Sequence, residues 1–230
     1  MGIGGAEALI INVALALQFK GYDVTIYTPF FDPNRCLKEA LDCKVSVRGN
    51  WFPRTIFGRC IALCAYIRMM LCALWVVLFA GRNEWYVIDQ VSMPIPLLRC
   101  RQKTLFYCHH PDKLLCTNRG NWLMKAYRCV LDFVEEVTTS FASVTLVNSK
   151  YTQDVYKQHF PLIQRCCRGR TPAILYPAID FKMFDRENSA DFKSLLGYEP
   201  KPTEIIITSL NRYERKKDIP LALKSVAGLH

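Results

Sequence analysis

The residues best suited to chemistry are two adjacent histidines, His109 and His110, in the stretch KTLFYCHHPDKLL. They stand where an apolar run ends and Pro111 fixes a turn. Adjacent residues on an extended backbone point to opposite sides, so the two cannot readily share one metal ion unless the chain turns between them. One can face a cleft while the other packs or meets solvent. A second place is GIGGAE, where Gly4 and Gly5 lead a loop into a helix N-terminus whose free N–H groups could meet an anion or a sugar. It departs from the dinucleotide pattern GxGxxG, because Glu7 stands where the third glycine would fall; a turn needed only for close packing would read the same. A third is SLNRYERKKDI, where Arg212 and Lys217 could converge on one diphosphate as a planar fork and a point charge. The plainer reading is a solvated basic turn. In LVNSKYTQDVY, Asn148 or Ser149 reads as a helix cap.

The elements that must position these residues alternate. AEALIINVALALQFKG (6–21) has helical apolar spacing and stops at Gly21, before the strand-like DVTIYT (23–28). Further β-type runs fall at 85–91, 104–108, 144–149, 173–177 and 204–210, with helical patterns between several of them, clearest over 121–142. This order predicts an α/β fold with parallel sheets covered on both faces. The cations at 212 and 217 would follow the strand 204–210, at the carboxyl end where open α/β sheets bind ligands. The basic, aperiodic stretch QRCCRGRT separates a domain over 1–170 from the start of another over 171–230. Both are expected to be truncated: a glycine loop opening a helix normally follows a strand, and the second domain stops inside its first long helix.

With 51% hydrophobic residues in 230, a sizeable core is easy to bury. The net charge of +10 suits anionic partners such as phosphates, diphosphates or acidic headgroups. The basic residues are scattered rather than interleaved with aromatics on one face, so nucleic acid is not an expected partner. The 11 cysteines sit mostly inside apolar runs, which predicts buried, reduced thiols, and Cys166-Cys167 lacks the paired CxxC spacing of a zinc site. No cleavable signal pattern opens the chain. The segment 61–80 carries one charge, Arg68, and is long enough to span a bilayer. A mid-membrane arginine costs about 2.5–3.5 kcal/mol, and a crossing would part the glycine loop from the histidine loop. A helix lying in the membrane interface is expected, with Arg59, Arg68 and Arg82 reaching headgroup phosphates; a buried core helix and a true span are the alternatives.

Taken in order, GIGGAE, FYCHHPD, LVNSKYT, LYPAID and LNRYERKKDI resemble retaining glycosyltransferases with two Rossmann-like domains, the GT-B architecture of glycosyltransferase family 4. GGAEALIINVALALQFKG, RGNWFPR, DQVS and the long apolar segment are similar to its mannosyltransferase branch for dolichol-linked oligosaccharides. The resemblance implies GDP-mannose as donor and a dolichol-diphosphate-linked Man-GlcNAc2 as acceptor, extended by an α-1,3 and then an α-1,6 mannose in N-glycan precursor synthesis. It implies work at the cytosolic face of the endoplasmic reticulum membrane, contact with other glycosyltransferases of the pathway, and no cofactor or metal. Carried onto this chain, Gly4 and Gly5 approach the donor, Arg212 and Lys217 grip its diphosphate, and His109 lies beside the transferred sugar as the catalytic histidine. This branch has an aromatic where His110 stands, so His110 is given no catalytic part. The family's Glu-x7-Glu segment lies beyond His230, so this length alone is expected to transfer no mannose. Another nucleotide sugar, or a non-catalytic glycolipid-binding role at a membrane surface, are the alternatives.

Overall fold

A computed structural model describes residues 4–58, 60–81, 84–115, 120, 122–166, 171–178, 196–201, 203–209 and 217–228. Helix α1 (Gly5–Phe19) starts from an extended Gly4 and ends where Gly21 takes a φ of +89°, letting Tyr22 N–H reach back to the Leu17 carbonyl. Strands β1 (Thr25–Thr28) and β2 (Lys44–Val47) form a parallel pair. KVSV was not anticipated as a strand, being short and set directly after an aperiodic loop.

The chain continues through α2 (Ile61–Phe79), β3 (Trp85–Asp89), α3 (Ile95–Arg99), β4 (Lys103–Cys108), α4 (Asp112–Leu115), α5 (Trp122–Ser140), β5 (Val144–Val147), α6 (Lys150–His159), α7 (Pro161–Cys166) and β6 (Ala173–Ile174). Strands β3, β4, β5 and β6 make one parallel sheet in that order. The crossovers run through helices, as the alternating pattern requires. Phe106 and Cys108 of the central strand β4 are buried in the core with Ile88, Val147, Tyr156 and Phe160.

Two compact units emerge, 1–179 and 180–230. The run 173–177 was expected to open the second domain. Instead Ala173 and Ile174 pair with Leu146 and Val147, because β5 offers its free edge to them. The expected boundary at 170/171 therefore moves past this strand. In the second unit, α8 (Ile219–Ala227) begins at Asp218, whose carboxylate accepts from Leu221 N–H at 3.3 Å. The expected strand 204–210 makes no ladder over its described residues 204–209, and Ile205 and Ile207 are exposed. A strand needs a neighbour, and the described residues of this unit supply none.

Helix α2 buries Cys64, Arg68, Cys72 and Val76, one residue per turn, and leaves Leu74, Leu78 and Phe79 exposed. Arg68 does not reach for headgroups. It turns inward, and Nη2 donates to the Pro29 carbonyl at 2.5 Å. Arg59 and Arg82 lie outside the described residues. Gly49 lets the loop after β2 lie against α2: its φ is +76°, and an added Cβ would sit 2.6 Å from the Arg68 carbonyl oxygen. The expectation of buried thiols holds for Cys64, Cys72 and Cys108, whereas Cys60 and Cys100, which flank α2 and α3, and Cys129 on the outer side of α5 are exposed.

Both strain and overlap oppose a side chain at position 49. Gly49→Ala should therefore lower stability by about 1–3 kcal/mol in urea unfolding followed by circular dichroism; an unchanged midpoint would show that the loop is free to move off α2.

Candidate active site

The parallel register carries the carboxyl ends of β3, β4 and β5 to one rim of the sheet, where Asp89, His109 and Asn148 stand. His109 Nε2 lies 2.8 Å from Asp89 Oδ1, with side-chain exposures of 19% and 23%, so the pair is sheltered yet reachable from solvent. The Tyr107 ring backs the imidazole at 4.7 Å between centroids, and its hydroxyl donates to the Leu175 carbonyl at 2.7 Å. Asn148 Nδ2 donates to the His109 carbonyl at 3.1 Å. The cap expected in this segment falls to Ser149, whose hydroxyl accepts from Thr152 N–H at 3.2 Å and starts α6. Asn148 instead fixes the backbone of the histidine from the next strand.

Asp89 was not singled out from sequence, although an acid closing a buried strand of a parallel sheet is the signal that could have found it. Its successor Gln90 has a φ of +59°, and Val91 N–H donates back to the Asp89 carbonyl at 2.6 Å. A non-glycine residue in the left-handed region is uncommon and recurs at functional sites. Burial pushes the Asp89 carboxyl up, while the His109 hydrogen bond and charge pull it down and Glu7 pushes it up again. The first turn of α1 thus shares its electrostatic field with this rim.

Beneath the rim, α5 clamps the turn that follows the histidines. Glu135 Oε1 accepts from Asp112 N–H at 2.6 Å and Oε2 from Lys113 N–H at 2.9 Å, so one carboxylate satisfies the free donors of α4. Arg128 Nη2 donates to the Asp112 carbonyl at 3.3 Å and to Asp132 Oδ1 at 3.0 Å. Tyr66 of α2 donates to Asp112 Oδ2 at 3.3 Å. Glu136 pairs with Lys113 Nζ at 3.4 Å and accepts from Leu162 N–H at the start of α7. Desolvation pushes the Glu135 carboxyl up to about 7 against the pull of its two backbone donors.

Gly4 is the N-terminal flank of α1, without a side-chain cap, and a Cβ there would displace the Glu7 carboxylate; at Gly5 a Cβ meets open space. His110 is half-buried in the bend beside His109. Lys217 is exposed in the second unit, directly before α8, and Arg212 lies outside the described residues. Among the described residues no group of three or more His, Cys, Asp or Glu could hold a metal ion.

The sequence model of Glycosyltransferase Family 4 matches residues 3–168, the stretch that builds α1, the parallel strands β1 to β5 and the His109 rim. The chain belongs to glycosyltransferase family 4. Its α/β architecture with parallel sheets is that of the Rossmann-like domain of this family. The alpha-1,3/1,6-mannosyltransferase ALG2 of Mus musculus is 44% identical over 235 residues, covering 100% of this chain and 55% of the relative. The proteins of the same name from Rhizomucor pusillus and Homo sapiens are each 41% identical, over 100% of this chain and 50% and 55% of their own lengths. The chain spans about half the length of the curated relatives it matches.

A raised folded-state pKa means that Glu135 favours the folded state most when protonated. Its contribution is full below its ordinary value of 4.5 and is lost as pH rises through about 7. Glu135→Gln should remove about 3 kcal/mol of pH-dependent stability across that window, read as the difference between wild-type and variant unfolding curves; parallel curves would show that Glu135 does not titrate there. Asp89→Asn should disturb the Nε2–H tautomer that a carboxylate acceptor selects in His109, read from ring nitrogen-15 shifts. An unaltered ring spectrum would show that Asp89 does not orient it.

Proposed function

We propose that this chain is the acceptor-side half of a retaining mannosyltransferase. The enzyme adds α-1,3-linked and then α-1,6-linked mannose from GDP-mannose to dolichol-diphosphate-linked Man-GlcNAc2, at the cytosolic face of the endoplasmic reticulum membrane. The observation that carries the reading is identity of 41–44% across the whole chain to relatives named alpha-1,3/1,6-mannosyltransferase. Support from the rim is chemical: a sheltered imidazole held by a carboxylate, at the carboxyl ends of parallel strands, is suited to a sugar at a sheet crevice.

In the reaction the bond between mannose C1 and the GDP phosphate oxygen breaks, and a bond from C1 to an acceptor hydroxyl oxygen forms on the same face. GDP leaves and the hydroxyl proton is released. With His109 Nε2 engaged by Asp89, Nδ1 is the nitrogen left for the sugar. Asp89 and Asn148 act as positioning residues, one on the ring and one on the backbone. In this reading Gly4 and Gly5 approach the donor, and Arg212 and Lys217 carry the charge that develops on the diphosphate in place of a metal. The N-glycan pathway would supply the acceptor through neighbouring glycosyltransferases at the same membrane.

The test is a transfer assay on a full-length protein containing this chain, with a dolichol-diphosphate-linked Man-GlcNAc2 and a panel of nucleotide sugars. GDP-mannose alone should elongate the acceptor, by two residues of different linkage. Transfer from another nucleotide sugar with GDP-mannose inert would replace this reading with a different donor.

A further inference from the structure

Helix α5 is turned inside out relative to an ordinary surface helix. Its ionic and hydroxyl side chains face inward: Arg128, Glu135 and Thr139 are 3%, 5% and 2% exposed. Its large apolar side chains face outward: Trp122, Val130 and Phe133 are 76%, 62% and 58% exposed, and Phe141 just past its end is 50% exposed. Steps of three and four residues join Trp122, Ala126, Val130, Phe133, Val137 and Phe141 into one stripe, roughly 28 Å long at the helical rise. The inward polar face is accounted for by the clamp on α4 and α7. Among the described residues nothing accounts for the outward stripe in the same way.

The chemistry of the stripe selects its occupant. Between Trp122 and Phe141 the exposed residues include one ionic side chain, Lys125. A protein partner would seek about one hydrogen bond per 100–200 Å², and this surface has almost nothing to give; hydrocarbon asks for none. A second apolar helix touches α5 at one point beside the stripe. Leu63 N–H of α2 donates to the Tyr127 hydroxyl of α5 at 3.1 Å, and α2 is long and apolar enough to cross a membrane, yet is largely unburied and exposes Ile61, Leu74, Leu78 and Phe79. The chain's charge of +10 complements an anionic surface.

We propose that the outward stripe of α5 is a membrane-docking face, seated in the headgroup–acyl boundary of an anionic bilayer beside α2. This deepens the reading of a membrane-surface enzyme and rests on it. The stripe holds the domain by apolar burial and Lys125 adds attraction to the headgroups. Because the opposite face of α5 fixes the turn after His110, docking would hold that turn one helix diameter, ~10 Å, from the bilayer that carries a lipid-linked acceptor.

The experiment is flotation of the 230-residue chain with vesicles of phosphatidylcholine and phosphatidylserine, comparing wild type, Val130→Asp/Phe133→Asp and Leu74→Asp/Leu78→Asp. All four substituted side chains are exposed, so the fold should survive, which circular dichroism checks. The α5 pair should weaken vesicle binding roughly tenfold or more, and Trp122→Phe should diminish the blue shift of tryptophan emission on binding. Wild-type flotation matched by the α5 pair, with loss only in the α2 pair, would overturn the α5 proposal and leave the membrane reading standing. An α5 pair that abolishes self-association in light scattering without altering flotation would assign the stripe to a protein partner and overturn it as well. No flotation of wild type would overturn both.

Discussion

Glu135 is buried in the C-terminal half of α5 and accepts the backbone N–H groups of Asp112 and Lys113, two of the free donors of a helix too short to hold itself together. That carboxylate sets where the chain goes after His109 and His110. Removing one partner from such a buried arrangement costs more than the bond is worth, because the other is left desolvated. The same network engages Arg128, Asp112 and Tyr66, so two separate helices, α2 and α5, are registered against the turn that opens α4. It acts beside Asn148 and Tyr107, which hold the His109 backbone and ring from the sheet itself.

The clamp also explains the unusual composition of α5. A helix that spends most of its ionic side chains on the interior has mainly apolar ones left for the outside, with Lys125 the exposed ionic residue. The arrangement is consistent with a domain whose outer surface meets something other than water. The rim and the apolar stripe thus lie on opposite consequences of one helix, since the inward residues position the histidine turn and the outward ones form the exposed face.

Much of this was legible in the sequence, for reasons that can be named. Period and punctuation located α1, α5 and the strands β3, β4 and β5 to within a few residues, because each is a strongly patterned run closed by a glycine, a proline or a polar cap. Strand geometry showed that His109 and His110 would face different ways, and the family resemblance supplied the choice of His109. What escaped were features set by distant partners. Asp89 gains its meaning from His109, which lies 20 positions further on and reaches it only through the parallel register. The cap expected at Asn148 or Ser149 falls to Ser149, and the carbonyl that Asn148 serves lies across the sheet, out of reach of local sequence. Arg68 read as a headgroup ligand because nothing local reveals the Pro29 carbonyl it serves. The strand β6 was assigned to the wrong side of a boundary, since a two-residue ladder belongs to whichever edge is free.

The central claim is that the rim built around His109 acts on the transferred sugar. The most direct measurement is the single-turnover rate of mannosyl transfer in a full-length protein carrying His109→Ala, compared with His110→Phe. The account gives a loss of about 10²-fold or more for the first and a rate near wild type for the second. An active His109→Ala enzyme beside an inactive His110→Phe enzyme would contradict it and assign the cleft to the other histidine.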